Sequence, residues 1–212
     1  KQTIYTKIIE NRLVDKIFVK LYQIGLTSKM VMKLYEKYGL DTLEIIEENP
    51  DTDFMALIET SRGCPNSCAY CDWSNMKSKI RKFPIERIYG EIEWVMKNKV
   101  YGLGSADSNF GMFKRDEDIT DKIVEAKQLS GYPIGFQTSY AKNSSETVFN
   151  IGMKLEKSGM NKGITLSFQS MSKEVLENIG RQNISIEYYS ELMRMYNEAG
   201  VATYTELILG LP

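Results

Sequence analysis

From residue 53 onward, apolar strand-like runs alternate with amphipathic helical ones, and this alternation limits the fold more than any other feature of the chain. The strand candidates are FMALIE (54–59), VYGLGSA (100–106), IGFQTS (134–139), GITLSFQ (163–169) and VATYTELILG (201–210). Between them lie helical stretches. PIERIYGEIEWVMKNK (84–99) opens with proline and sets Ile85, Ile88, Ile92 and Val95 on one face. EDITDKIVEAKQL (117–129) stops before Gly131, and ETVFNIGMKLEKSG (146–159) and KEVLENI follow. In IEYYSELMRMYNEAG, Tyr189, Leu192, Met193 and Tyr196 recur at helical spacing. Strands that begin roughly 30 to 45 residues apart leave room for the crossover a parallel pair requires, so the pattern predicts an α/β fold with a parallel sheet. Right-handed crossovers curl such a sheet into a barrel or partial barrel. Its chemistry is then expected at the C-terminal strand ends.

Polar residues gather at those ends. A cysteine loop follows the first strand, Asp-Ser-Asn (107–109) the second, and SYAKN (139–143) the third. Ser167, Gln169 and Ser170 finish the fourth, and Thr205 and Glu206 interrupt the fifth. Strand ends always meet polar loops, so any one of these residues reads equally well as merely solvated. Together they mark one candidate site.

Residues 1–52 read differently, as a small helical segment. Ile4, Ile8, Ile9, Leu13, Ile17 and Leu21 recur at helical spacing, a hairpin falls at Gly25, and further helices end at Gly39 and Pro50. The expected division is therefore a helical segment over 1–52 and a βα domain over 53–212. The chain begins at Lys1 and ends at Pro212 directly after an apolar run, which suggests a fragment whose barrel is truncated after the fifth strand. Across 212 residues the net charge is −1 and 42% are hydrophobic, a balance that suits a chain with a sizeable core and gives no global case for nucleic acid. Lys16, Lys20, Lys29, Lys33 and Lys37 do make the first segment locally basic, as a solvated helix face also would. No run is long and apolar enough to cross a bilayer, and no signal peptide is evident, so no membrane partner and a cytoplasmic location are expected.

All three cysteines lie in CPNSCAYC, at Cys64, Cys68 and Cys71, and the chain has no histidine. Imidazole bases and imidazole metal ligands are thereby excluded. A disulfide framework would leave one thiol over, so metal or cluster ligation is the better reading. Three thiolates can hold three irons of a [4Fe–4S] cluster and leave the fourth open. Zinc would need a carboxylate such as Asp72, or water, as its fourth ligand.

CPNSCAYC, with an aromatic residue before its third cysteine and its place after the first strand, resembles the signature of the radical S-adenosylmethionine superfamily. The resemblance runs from about residue 53 to the end and implies a (βα)6-type full or partial barrel. It also implies a [4Fe–4S] cluster on Cys64, Cys68 and Cys71, whose open iron is chelated by S-adenosylmethionine. Reductive cleavage of that cosubstrate to a 5′-deoxyadenosyl radical is the implied activity. Tyr70 is then expected near the adenine, and Asp107 and Asn109 at the methionine amino group, where the family often has Gly-Gly-Glu. Gln169, with Arg181 twelve residues later, matches a family spacing for the ribose and carboxylate contacts. Ser167 is expected near the ribose, and Ile208 and Gly210 at the adenine. An electron donor such as flavodoxin or ferredoxin is the implied partner.

ETSRGCPNSCAYCDWS, DSNFGMFKRD, AKNSSE and TYTELILGLP look more narrowly like cobalamin-associated radical enzymes that include methyltransferases. Those usually carry a preceding cobalamin domain, whereas this chain has none. Without histidine it also has no Asp-x-His motif for cobalt, which puts cobalamin in doubt here. LYQIGLTSKMVMKLYEKYGLDTLEIIEENP, within residues 13–50, resembles the helix-hairpin-helix region of RecD-type helicases and implies nucleic acid as a partner. The competing functional reading is accordingly a nucleic-acid-binding module with a structural metal site. No residue identifies the substrate; Tyr140, Lys142, Tyr204 and Glu206 are candidates for contacting it.

Overall fold

A computed structural model of the chain describes residues 46–47, 49–71, 79–141, 146–160 and 163–212. The chain divides into two units, Lys1–Thr52 and Asp53–Pro212, and the elements that position the candidate site belong to the second. The expected helical hairpin at Gly25, and with it Asp72 and Lys142, lies outside the described residues.

In chain order the described elements are β1 (Met55–Ile58), β2 (Ser61–Arg62), β3 (Arg81–Lys82), α1 (Ile85–Lys97), β4 (Gly102–Ser105), α2 (Arg115–Ser130), β5 (Gly135–Gln137), α3 (Glu146–Lys157), β6 (Ile164–Thr165), α4 (Lys173–Asn178), α5 (Ile186–Glu198) and β7 (Thr203–Tyr204). Strands β1, β4 and β5 form a parallel sheet in that order, with Met55 opposite Gly102 and Leu103 opposite Phe136. Strands β6 and β7 form a second parallel pair. Between the two sheets, the Phe136 amide donates to the Met160 carbonyl at 3.2 Å. Each expected strand appears in the expected parallel sense, though shortened, and each crossover carries helix. The result is an α/β partial barrel.

Burial follows the helical stripes. Ile88, Ile92 and Val95 of α1, Ile119 and Ile123 of α2, and Val148, Ile151 and Leu155 of α3 pack with Ile58, Leu103, Phe136 and Ile164 in the core. Each such side chain contributes about 1.5–3 kcal/mol by leaving water. The other face of β1 carries Met55 and Leu57, which reach across Gly102 and Gly104 of β4. A Cβ on Gly104 would lie 3.1 Å from Leu57 Cδ1, so glycine leaves room for them.

The pair β2–β3 is absent from the sequence expectations. It is antiparallel, sets Ser61 opposite Lys82 and Arg62 opposite Arg81, and fastens the base of the loop that carries the cysteines. Two polar residues per strand leave no alternation to read.

Candidate functional site

Beyond β1 the chain continues alongside the segment that follows β4. Ala106 donates its amide to the Ile58 carbonyl at 2.8 Å, and next comes Asp107, which is only 1% exposed. Asp107 Oδ1 accepts from the Thr60 amide at 2.7 Å and from Ser105 Oγ at 2.8 Å. Its Oδ2 accepts from Thr60 Oγ1 at 2.5 Å, and from the Ser61 amide and Ser61 Oγ, both at 2.8 Å. A carboxylate offers about four lone-pair sites, so these five donors fill it. Arg115 reinforces the same corner, donating to the Thr60 carbonyl at 2.6 Å and the Phe83 carbonyl at 2.7 Å.

The two residues after Asp107 take hold of the next stretch of the cysteine loop. Ser108 Oγ donates to the Gly63 carbonyl at 2.7 Å, and Asn109 Nδ2 donates to Cys64 Sγ at 3.1 Å. Asn66 Nδ2 faces the same sulfur at 3.8 Å. None of the three cysteines is in a disulfide; Cys68 is buried, and Cys64 and Cys71 are half-buried. Among the described residues, no group of three or more His, Cys, Asp or Glu side chains is placed to hold a metal ion.

A third wall comes from the β6–β7 end. The Ala69 amide donates to the Ile179 carbonyl at 2.9 Å, which seats the cysteine loop on the end of α4. Arg181, 7% exposed, donates from Nη2 to the Ser167 carbonyl at 2.7 Å and from Nε to Asn183 Oδ1 at 2.8 Å. Its Nη1 faces Cys68 Sγ at 4.0 Å. Tyr70 stands beside this cation; burial raises its phenol above the ordinary value, and the nearby Arg181 charge opposes the rise. Asn183 in turn holds the Phe168 and Ser170 carbonyls at 2.7 and 3.1 Å.

Gln169, four residues beyond β6, has φ at 63°, a left-handed backbone for a residue that is 6% exposed. Such a conformation costs about 1–3 kcal/mol and tends to occur where a site needs it. Its amide donates to the Glu206 carbonyl and its carbonyl accepts from the Ile208 amide, at 2.9 and 2.8 Å. Ser167 Oγ donates to Glu206 Oε2 at 2.8 Å.

The structure thus links Cys64, Cys68, Tyr70, Asp107, Asn109, Ser167 and Arg181 through direct contacts, and Gln169 and Ile208 through backbone. Gly210 stands apart, at φ 82° with open space around the position of a Cβ. Of the substrate-contact candidates, Tyr140 is buried, and burial pushes its phenol well above the ordinary value; Tyr204 is exposed. Sequence reasoning assigned no role to Thr60, Ser61, Arg115 or Asn183, and counted Ser108 only among the polar strand-end residues. The hydroxyl residues before the first cysteine were a readable signal, whereas Asn183 gave none.

Residues 58–212 match the model of the radical SAM superfamily, and residues 10–57 match that of the ATP-dependent RecD2 DNA helicase helix-hairpin-helix domain. The chain is 44% identical over 163 residues to 2-(S-pantetheinyl)-carbapenam-3-carboxylate methyltransferase of Streptantibioticus cattleyicolor, covering 76% of this chain and 24% of that protein. It is also 44% identical over 160 residues to the cobalamin-dependent radical SAM methyltransferase TokK of Streptomyces tokunonensis, covering 75% and 24%. The chain therefore spans about a quarter of the length of these curated relatives. Its fold is similar to that of the radical S-adenosylmethionine methyltransferase TsrM from Kitasatospora setae, a structure with cobalamin and a [4Fe–4S] cluster bound. The TM-score is 0.59 at 18% identity, over 74% of this chain and 31% of that one.

Proposed function

The chain belongs to the radical SAM superfamily, whose members use a [4Fe–4S] cluster and S-adenosylmethionine, and from that premise we propose that it is the catalytic barrel of a radical methyltransferase. The observation that carries the reading is a three-cysteine loop following β1 in which Cys64 Sγ meets an amide N–H from the segment after β4 and Cys68 Sγ faces the Arg181 guanidinium, just beyond α4. Amide and guanidinium donors suit electron-rich thiolates, so the residues present fit a cluster on Cys64, Cys68 and Cys71. When bound, the cluster supplies one electron to S-adenosylmethionine, which breaks to methionine and a 5′-deoxyadenosyl radical able to take a hydrogen atom from a substrate. Everything else falls to the chain's own groups.

Arg181 is proposed to orient the methionine carboxylate, since its guanidinium is buried, held on two sides and directed at the cysteine loop. Ser167 and Gln169 are proposed for the ribose, and Tyr70, Ile208 and Gly210 for the adenine. Asp107 and Asn109, expected at the amino group, are already engaged by Thr60, Ser61 and Cys64, which supports a role in anchoring the loop. The proposed domains are the helical segment 1–52 and the barrel 53–212. Tyr204, Leu207 and Leu209 are exposed along and after β7, which supports a barrel that continues past its fifth strand in the whole protein.

Methyl transfer rests on the two methyltransferase relatives, and its acceptor is not identified. Cobalamin is not assigned to this chain, which has no imidazole for cobalt. A low-potential donor such as flavodoxin or ferredoxin is the proposed reductant. The cytoplasm is the proposed location, in keeping with three cysteines in no disulfide, and among the described residues no helix is long and apolar enough to cross a membrane. The match over residues 10–57 favours nucleic acid as a further partner. Salt-sensitive binding that is lost on removing residues 1–52 would support that reading, and binding unchanged by the removal would refute it.

Anaerobic reconstitution with iron and sulfide tests the main reading. A brown protein whose spectrum responds to S-adenosylmethionine, and which releases 5′-deoxyadenosine on reduction, is expected. A colourless protein holding one zinc would overturn it.

A further inference from the structure

The segment after β4 grips the cysteine loop one residue at a time. Asp107 holds Thr60 and Ser61, Ser108 holds Gly63, and Asn109 holds Cys64. The orientation of the Asn109 amide follows from this network. Ser108 directs its single hydroxyl proton to the Gly63 carbonyl, so its oxygen is left as an acceptor for Asn109 Nδ2, at 3.1 Å. The second N–H of the same nitrogen points to Cys64 Sγ, also at 3.1 Å. Turning the amide over would set its oxygen against a hydroxyl with no proton to give and against a sulfur. Asn109 is 3% exposed, so bulk water could not repair that loss.

Cys64 receives the short Asn109 contact and a longer one from Asn66. A hydrogen bond to a ligand sulfur draws electron density from it, and hydrogen bonds to sulfur are among the factors that set cluster potentials.

We propose that Asn109 is a positioning residue that raises the reduction potential of the cluster by donating a fixed, buried hydrogen bond to Cys64 Sγ. The inference rests on the assignment of a cluster to Cys64, Cys68 and Cys71. The electron transfer it modulates adds one electron to the cluster from an external low-potential donor and makes or breaks no bond in the protein. The donated hydrogen bond strengthens as charge on the sulfur grows, so the reduced state gains more than the oxidised one.

The test is an EPR-monitored redox titration of the reconstituted protein with dithionite, comparing wild type with Asn109→Leu, Asn109→Asp and Asn66→Ala. Asn109→Leu is expected to make reduction about tenfold harder, or about 59 mV lower for a one-electron couple. Asn109→Asp, which sets an acceptor and a charge against the sulfur, is expected to fall further. Asn66→Ala is expected to shift less than either. Should the Asn109 variants fail to load, double resonance on reduced wild-type protein labelled with 15N in asparagine amides is expected to show a nitrogen coupled to the cluster, retained in Asn66→Ala. An unchanged potential in loaded Asn109→Leu, or no coupled asparagine nitrogen, overturns this inference and leaves the cluster assignment standing. Wild type that assembles no four-iron cluster overturns both.

Discussion

Asp107 and Arg181 are buried charged side chains of the site, and both act on the cysteine loop. An asparagine at 107 presents one oxygen and one NH2 to five donors, so two or more buried groups lose their partner. Asp107→Asn is expected to cost about 3 kcal/mol in a urea titration of the apo protein. Loss below about 1 kcal/mol would mean that the loop is anchored elsewhere. At 181, lysine keeps the charge but has no planar fork with which to hold Ser167 and Asn183 while facing Cys68. Arg181→Lys is expected to weaken S-adenosylmethionine binding about tenfold or more while cluster content is retained, measured by isothermal titration of loaded protein. The cysteines and Arg181 were singled out because their spacing is a sequence property. The saturation of Asp107 was not, since four of its five donors lie 46 and 47 residues away and only the parallel register of β1 and β4 brings them to it.

Helices α2 and α3 illustrate what the pattern of an element does and does not disclose. Gly152 sits inside α3, where glycine costs about 1 kcal/mol relative to alanine. A Cβ there would lie 2.9 Å from Ile164 Cδ1 and 3.1 Å from its Cγ1, so the glycine sets how closely α3 approaches β6. Gly152→Ala is expected to lower stability by about 1–2 kcal/mol despite the better helix propensity. A more stable variant would show that Ile164 yields freely. The helix faces were legible from period 3.6, but this close approach was not, because a lone glycine does not name its neighbour. At the start of α2, Asp116 is 2% exposed, accepts from the Gly111 and Phe113 amides, and leaves Oδ1 without a partner. Burial raises its carboxyl above the usual aspartate range, and the two amides oppose the rise. A raised folded value means that this group's contribution to stability is complete below the unfolded value, about 3.9, and is lost as pH rises through the folded one. Asp116→Asn removes that titration. Its stability relative to wild type is therefore expected to improve from about pH 4 towards neutrality, and thermal melts showing a constant difference would refute this.

Across the whole βα unit, the cysteine loop is one bridge between two separately hydrogen-bonded sheets. It is fastened to the β1–β4 side by Asp107, Ser108 and Asn109, and to the β6–β7 side by the Ala69–Ile179 hydrogen bond and by Arg181. The alternation of strands and helices pointed to parallel strands in one sheet, but not to their division into two hydrogen-bonded groups or to the loop's double attachment, which depends on contacts between residues more than a hundred positions apart. A ligand that draws Cys64, Cys68 and Cys71 together must tighten both attachments at once, because Cys64 lies in the segment held from the β1–β4 side and Cys68 beside the one held from the β6–β7 side. Binding to the folded state alone also stabilises that state by mass action. Loading with iron and sulfide is therefore expected to raise the melting temperature of the unit. In hydrogen exchange it is expected to slow the amides of residues 60–71 and of residues 179–183 together, while those facing the outer side of α2 change little. Protection confined to residues 60–71 would show that the loop is organised from the β1–β4 side alone, and that the β6–β7 pair does not share in holding the site.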